Sequence, residues 1–233
     1  MSQGACVVMG AGKGNGAAFA RKFVSEGRRV AVLARDEKRL AGIAAEVGDC
    51  LAVSCDVTRE ESIGAALDRV ESELGPLQTL LYNAGNFVPG NVDSTESGLL
   101  EYCFRVNVVG CLNAVRRAAK GMRARGRGEI VVIGATASRR GAAGALPFAA
   151  AKAGQRAMVE SMARELGPLG IHVAYVVIDA VIDTPVMRAF FAGKPDEFFA
   201  KPDDIAESVA HLVAQKRSAW TFELDLRPYI ERW

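Results

Sequence analysis

Two histidines in 233 residues, His172 and His211, are too few and too far apart to hold a metal, and none is expected. Five cysteines (Cys6, Cys50, Cys55, Cys103, Cys111) form an odd set with no C-x-x-C pair. That excludes a disulfide framework and fits a reducing compartment. Cys6 and Cys55 lie in apolar runs, where free cysteine behaves as a small hydrophobe. No window approaches the roughly 18 uninterrupted apolar residues of a membrane span. No charged leader with an apolar stretch and cleavage site is visible. Charge of one sign is lacking too, since 29 Lys and Arg against 27 Asp and Glu leave a net +2. The densest basic run, Arg123, Arg125 and Arg127, is interleaved with Gly126 and Gly128 and reads as a solvated helix exit. Nucleic acid is therefore not an expected partner. A cytoplasmic protein acting on a small molecule is expected.

Half of the residues are hydrophobic, enough to bury a core, and the length favours one domain over residues 1–233. Short β-branched runs predict strands over Ala5–Met9, Arg29–Ala34, Cys50–Cys55, Thr79–Tyr82, Glu129–Ile133 and His172–Ile178, with a seventh over Thr221–Leu226. Their near-continuous apolar character suits strands covered on both faces. Helical periodicity fills the gaps: Asn15–Glu26, Asp36–Val47, Arg59–Leu74, Ser97–Arg123, Leu146–Leu166 and Pro202–Gln215. Met158, Met162 and Leu166 mark one apolar stripe. Strict alternation predicts an α/β fold, a Rossmann-like doubly wound seven-stranded parallel sheet ordered 3-2-1-4-5-6-7. The irregular stretch from Asp179 to Lys201 reads either as a substrate-covering lid or as a surface excursion packed on the core.

The first strand runs directly into Gly10-Ala11-Gly12-Lys13-Gly14-Asn15-Gly16, and a helix starts near Asn15. Glycines between a strand and a helix N-terminus let backbone N–H groups approach a pyrophosphate. At the end of the second strand, an acid would bind an NAD ribose and a cation an NADP 2′-phosphate. Arg35 stands there, Asp36 is placed to cap the next helix, and Lys13 can reach the same side. These residues predict NADP(H) over NAD(H).

Further elements make the pattern specific. Asp56 and Val57 follow the third strand, and Asn83-Ala84-Gly85 follows the fourth. Asn107-Val108-Val109-Gly110 lies in the long helical stretch, and Ala151-Lys152-Ala153 lies in the next helix. With these motifs the chain resembles the short-chain dehydrogenase/reductase family over essentially its whole length. The resemblance implies cofactor contacts at Gly10, Gly12, Lys13, Gly14, Asn15, Gly16, Arg35, Asp56, Val57, Asn83, Ala84, Gly85, Lys152, Ile182 and Thr184. It implies catalytic positions at Asn107, Lys152, Phe148 and Ala135.

Two of those positions depart from the family. A tyrosine is expected four residues before Lys152, where Phe148 stands. A serine is expected thirteen residues before that, where Ala135 stands, with Thr136 and Ser138 as the nearest replacements. A phenyl ring cannot give or take a proton, so the general acid–base step is altered. The post-strand Pro-Gly of the family is also replaced, by Asp179-Ala180. Three readings follow: an NADP(H)-dependent oxidoreductase with an altered proton donor, a non-catalytic NADP(H)-binding sensor or partner subunit, or a mainly structural protein. Met187, Phe190, Phe191, Phe198 and Phe199 suit an apolar substrate or a core. The resemblance implies a homodimer or homotetramer paired through the helices Ser97–Arg123 and Leu146–Leu166, and Trp220, Phe222, Tyr229 and Trp233 offer a further apolar patch.

Overall fold

A computed structural model describes residues 4–231; Trp233 of the expected C-terminal patch lies outside them. Seven parallel strands form the sheet: β1 (Ala5–Met9), β2 (Val30–Ala34), β3 (Cys50–Ser54), β4 (Leu77–Tyr82), β5 (Gly128–Ile133), β6 (Ile171–Ile178) and, at the far edge, β9 (Glu223–Leu226). Their order is β3-β2-β1-β4-β5-β6-β9, the predicted one. A two-residue pair, β7 (Val181–Ile182) with β8 (Phe199–Ala200), lies apart from the sheet inside the irregular stretch.

Alternation along each strand divides the core into two. Ala5, Val7 and Met9 face one side with α3 (Glu60–Leu74), α5 (Gly110–Arg125) and α6 (Leu146–Leu166). Cys6 and Val8 face the other, with α1 (Asn15–Ser25), α2 (Glu37–Val47) and α8 (Pro202–Val213). Phe19 and Phe23 of α1 are fully buried, worth about 1.5–3 kcal/mol each. The thiols of Cys6 and Cys55 are buried as well, and burial pushes them up to about 12 and about 11. They act as packing groups.

Local chemistry sets the helix starts that matter for the site. Asp36 Oδ1 accepts from the Arg39 amide at 3.0 Å and caps α2, as predicted. Pro147 stands in the first turn of α6. That helix buries Pro147, Ala151, Gln155 and Val159 at four-residue spacing, with Lys152 beside them.

The stretch predicted as one helix from Ser97 to Arg123 is interrupted. α4 (Ser97–Phe104) passes into a π-turn over Arg105–Val109 before α5 begins. A π-turn bonds i to i+5 and takes backbone groups out of the α ladder, and Gly110 N accordingly bonds Arg105 O. Here the turn carries Asn107. The remaining helix, α7 (Pro185–Phe190), starts at Thr184, whose hydroxyl accepts from the Met187 amide.

Gly10 ties the first turn to the fourth strand. Its φ is +91°, and a Cβ there would lie 2.3 Å from the Ala84 nitrogen. Gly10→Ala therefore combines left-handed strain with a backbone clash. It should cost about 3 kcal/mol or more, read as a lowered urea midpoint at unchanged slope; an unchanged midpoint would refute this packing constraint.

Candidate active and cofactor site

β1 and β4 are neighbours with crossovers leaving in opposite directions, so a crevice opens at their carboxyl ends. The glycine turn after β1 and the Asn83–Asn86 turn after β4 form its two lips. They are bolted together: Asn83 Nδ2 donates to the Gly10 carbonyl at 2.7 Å, and the Asn83 amide donates to the Met9 carbonyl at 2.8 Å. A cleft of about 580 Å³ runs outward from them. Gly10, Gly12, Asn83, Ala84 and Gly85 line it, as do Arg35, Asp56 and Val57. A Cβ on Gly12 would meet nothing within 4 Å, so the turn faces open space. Asn15 and Gly16 are buried under it in the first turn of α1. Gly14 touches the β7 segment, where a Cβ would lie 2.9 Å from Thr184 Cγ2 and 3.7 Å from Ile182 Cγ2.

The outer end of the cleft is cationic. Arg35 and Arg39 line it, and Arg35 Nη1 lies 3.4 Å from the Tyr102 hydroxyl. Asp36 is also at the wall, but its carboxylate is engaged by the α2 cap and by Arg39. Lys13 is exposed and is not among the lining residues. Arg39, in the first turn of α2, is a second cation at this wall that the sequence reading did not name. Asp56 is shaped by its own turn: burial acts to raise its pKa, but hydrogen bonds from the Thr58 amide and hydroxyl, with the charges of Arg35 and Arg59, outweigh burial and hold it low.

At the inner end lies Lys152, 4 % exposed. Its Nζ donates to the Ile133 carbonyl at 3.0 Å and to Gln155 Oε1 at 2.9 Å. Gln155 Nε2 donates to the Asn107 carbonyl at 2.6 Å. Asn107 Nδ2 reaches the Cys103 carbonyl at 2.9 Å and Asn86 Oδ1 at 2.7 Å, while Asn107 Oδ1 is buried without a partner among the described residues. Burial drives the Lys152 ammonium down to about 8, with nearby Cys111 opposing. Gly85 keeps this group open to the cleft: a Cβ there would come within 3.2 Å of Asn107 Oδ1 and 3.6 Å of Lys152 Nζ.

Phe148 stands one turn before Lys152 on α6, and Ala135 directly precedes the short turn Thr136–Ser138; neither side chain carries a polar group. The Phe148 ring packs edge-on against Phe87, centroids 5.3 Å apart. Neither hydroxyl near Ala135 is idle. Thr136 donates to Asp179 at 2.5 Å, and Ser138 donates to the Ala135 carbonyl at 2.6 Å. Asp179 is further held by Arg140 and Arg227.

All four tyrosines are placed elsewhere. Tyr82 and Tyr175 are fully buried, with phenols that burial raises far above their usual range. Tyr102 sits at the Arg35 end, and Tyr229 is 85 % exposed beside a second cavity.

A family profile described as short chain dehydrogenase matches residues 5–195. The chain belongs to the short-chain dehydrogenase family. An inactive 2-(S)-hydroxypropyl-CoM dehydrogenase of Xanthobacter autotrophicus is 34% identical over 212 residues, covering 85% of this chain and 92% of that one. A short-chain dehydrogenase crystal structure from Rhodopseudomonas palustris is 34% identical, covers 97% and 99% of the two chains, and superposes with a TM-score of 0.84. A metagenomic short-chain oxidoreductase solved with NADP is 28% identical, covers 99% of each chain, and gives a TM-score of 0.85.

In this short-chain dehydrogenase, sequence reasoning missed Arg39, Tyr102, Asn86 and Gln155. Gln155 had a readable signal, since a polar residue breaks the four-residue apolar spacing Ala151-x-x-x-Gln155-x-x-x-Val159. Asn86 and Tyr102 carry none, because only the tertiary fold brings them to the cleft.

The lowered Lys152 value has a signed consequence. The native protein binds this proton less tightly than the unfolded chain, whose lysine titrates near its ordinary 10.5. Stability should therefore rise with pH between about 8 and 10.5, with the full cost of burial present below 8. Relative to Lys152→Met, the wild type should gain about 1.4 kcal/mol per pH unit across that window. Urea unfolding of both proteins from pH 7 to 10 measures the difference, and parallel curves would contradict it.

Proposed function

We propose that this short-chain dehydrogenase binds NADP(H) in preference to NAD(H) and transfers hydride to or from a small carbonyl or alcohol substrate with an altered proton donor. The observation that carries the cofactor assignment is the outer end of the cleft: two guanidinium groups, Arg35 and Arg39, beside a carboxylate engaged in capping α2. Guanidinium groups form charge-assisted, often bidentate bonds with phosphate oxygens. The NADP found in the metagenomic relative supports the same choice.

The residues present fit the dinucleotide. The open glycine turn and the α1 N-terminus would hold the pyrophosphate. Asp56 and Val57 border the cleft where adenine would lie, and Lys152 and Asn107 would take the nicotinamide ribose. Ile182 and Thr184, packed on Gly14, would border the nicotinamide. When bound, the dinucleotide supplies the hydride. The chain would offer the Lys152 ammonium as an acid, with Phe148 packed against Phe87 in place of a phenol.

Phe148 stands for the family tyrosine and Ala135 for the family serine in this proposal. Thr136 and Ser138 do not substitute, because Thr136 is bound to Asp179 and Ser138 to the Ala135 carbonyl. General acid–base catalysis contributes about 10²–10⁴-fold, so a positioned hydride transfer survives its loss at a reduced rate. A non-catalytic NADP(H)-binding sensor or partner subunit is the second reading. It is favoured by Phe148 standing where the family tyrosine is expected and by the Xanthobacter relative, which is named inactive. Exposed Phe87, which packs on Phe148, would suit an apolar substrate. Tyr102, Val109 and Leu112 are exposed on the helices around Asn107 and would be covered in the homodimer or homotetramer, in a cytoplasmic setting.

Two measurements test this reading. Arg35→Ala with Arg39→Ala should weaken NADPH binding at least about tenfold more than NADH binding in calorimetry; equal losses would refute the 2′-phosphate assignment. Phe148→Tyr with Ala135→Ser should raise turnover of a generic ketone by about tenfold or more, and adding Lys152→Ala should abolish the gain. A double mutant that binds NADPH and substrate yet gains nothing would reject Phe148 as the replaced donor. Wild-type turnover across carbonyl and enoyl substrates separates the enzyme from the non-catalytic reading.

A further inference from the structure

Gln155 is fully buried, one turn of α6 beyond Lys152. A buried carboxamide is retained only where its polar atoms find partners. Here its two ends are spoken for: Oε1 accepts from Lys152 Nζ at 2.9 Å, and Nε2 donates to the Asn107 carbonyl at 2.6 Å. Oε1 also lies 3.3 Å from the Tyr175 hydroxyl, which is 3.4 Å from the Lys152 carbonyl. The Asn107 carbonyl belongs to the π-turn. One side chain thus joins the ammonium, the π-turn and the buried face of β6.

A carboxamide in this bridge differs from a water in one property. Its nitrogen only donates and its oxygen only accepts, so it holds an orientation but has no readily protonated atom through which to pass a proton. Two of the three ammonium N–H groups are spent, on Ile133 and Gln155. The remaining one is left for the cleft side, where Gly85 has no side chain to block it.

We propose that Gln155 is a positioning residue that clamps Lys152 to the Asn107 carbonyl and closes the buried side of the ammonium to proton relay. Lys152 is thereby a fixed cation presented to the cleft. The role as a cofactor-facing cation rests on the dinucleotide reading above; the clamp itself does not.

The test titrates Lys152 in the cofactor-free protein by NMR of labelled lysine, with the resonance assigned by its loss in Lys152→Arg. The titratable neighbours stay neutral over the range: burial pushes the Cys111 thiol up to about 12 and holds the Tyr175 phenol high. Gln155→Leu removes both polar contacts at similar volume and should lower the Lys152 midpoint by about one unit, because a charge-assisted acceptor is lost. Gln155→Glu keeps the acceptor and adds charge, and should raise the midpoint by about one unit or more. A purely structural role would lower thermal stability in both variants without opposite shifts. Midpoints that stay put, or move together, overturn the clamp, and if Gln155→Leu fails to fold, the direction in Gln155→Glu decides alone. NADPH binding, followed by its fluorescence from pH 6 to 9, should track the shifted midpoint in each variant. Opposite midpoint shifts in proteins that bind no NADPH would uphold the clamp and reject the dinucleotide reading; normal NADPH binding with unmoved midpoints would do the reverse.

Discussion

A lysine ammonium held at 4 % exposure is the constraint around which the inner half of the cleft is arranged. Desolvating a cation costs several kcal/mol after relaxation, and the Lys152 pKa near 8 records that cost. It is tolerable only while Ile133 at the end of β5 and Gln155 on α6 both offer oxygen atoms. Each support has its own requirement. Ile133 is positioned by the β5–β6 register, and Gln155 by its place on the buried stripe of α6. The Asn107 carbonyl that anchors Gln155 lies in a π-turn in the middle of an otherwise regular helix. Sheet, helix and helical defect therefore have to agree before the charge can be buried at all.

The outer half of the cleft is built by different means. It rests on backbone proximity: Gly10 pressed against Ala84, and Asn83 donating to the Gly10 carbonyl. No residue of that half depends on Phe148 or Ala135. Under the proposed reading, a change at Phe148 or Ala135 would thus leave the glycine-turn half of the cleft untouched. The cradle also has a steric demand stronger than any side-chain choice, since even a methyl group at Gly10 meets backbone.

Much of this was legible in the sequence because it follows from periodicity and turn chemistry. Buried parallel strands print continuous apolar runs, so all seven sheet strands and their order were readable, with ends differing by a few residues. Gly10 through Gly16 announced the turn, and Asp36 announced a cap. The break at Arg105–Val109 was not legible, because a single π-turn shifts the apolar stripe by only one residue and the pattern runs on. Lys13 is exposed, and its neighbours Gly10, Ala11 and Gly12 rather than Lys13 itself line the cleft. Arg39, in the first turn of α2, lines the cleft together with Arg35 just before that helix. The contacts of Gln155 and Thr136 were not legible for a shared reason. A polar residue's partners come from distant segments, here Asn107 and Asp179, which local spacing does not encode.

The stretch from Asp179 to Lys201 is tied together by its own ion pairs, while Ala180, Ile182 and Ala200 pack against the core. Asp183 is tied to Arg188 and Lys201, which also hold Asp196, and hydrogen bonds from Arg188 and Lys201 keep the Asp183 carboxyl well below its usual range. Phe190, Phe191, Phe198 and Phe199 pack in series on one another, and Arg188 stacks over Phe199 at 4.3 Å. Of these rings only Phe199 is fully buried, and Phe190 is turned outward. Most of the aromatic content that suggested an apolar pocket is thus consumed in holding that stretch together. What remains at the reacting end is the Phe87–Phe148 pair and a single uncommitted N–H on Lys152. Under the proposed reading a proton has to come from that N–H or from a hydroxyl carried by the substrate. The clamp on Gln155 weakens the first route, because the lysine has no buried path for recharging. A substrate that brings its own donor beside the reacting carbon is the chemistry that this arrangement accommodates with least loss.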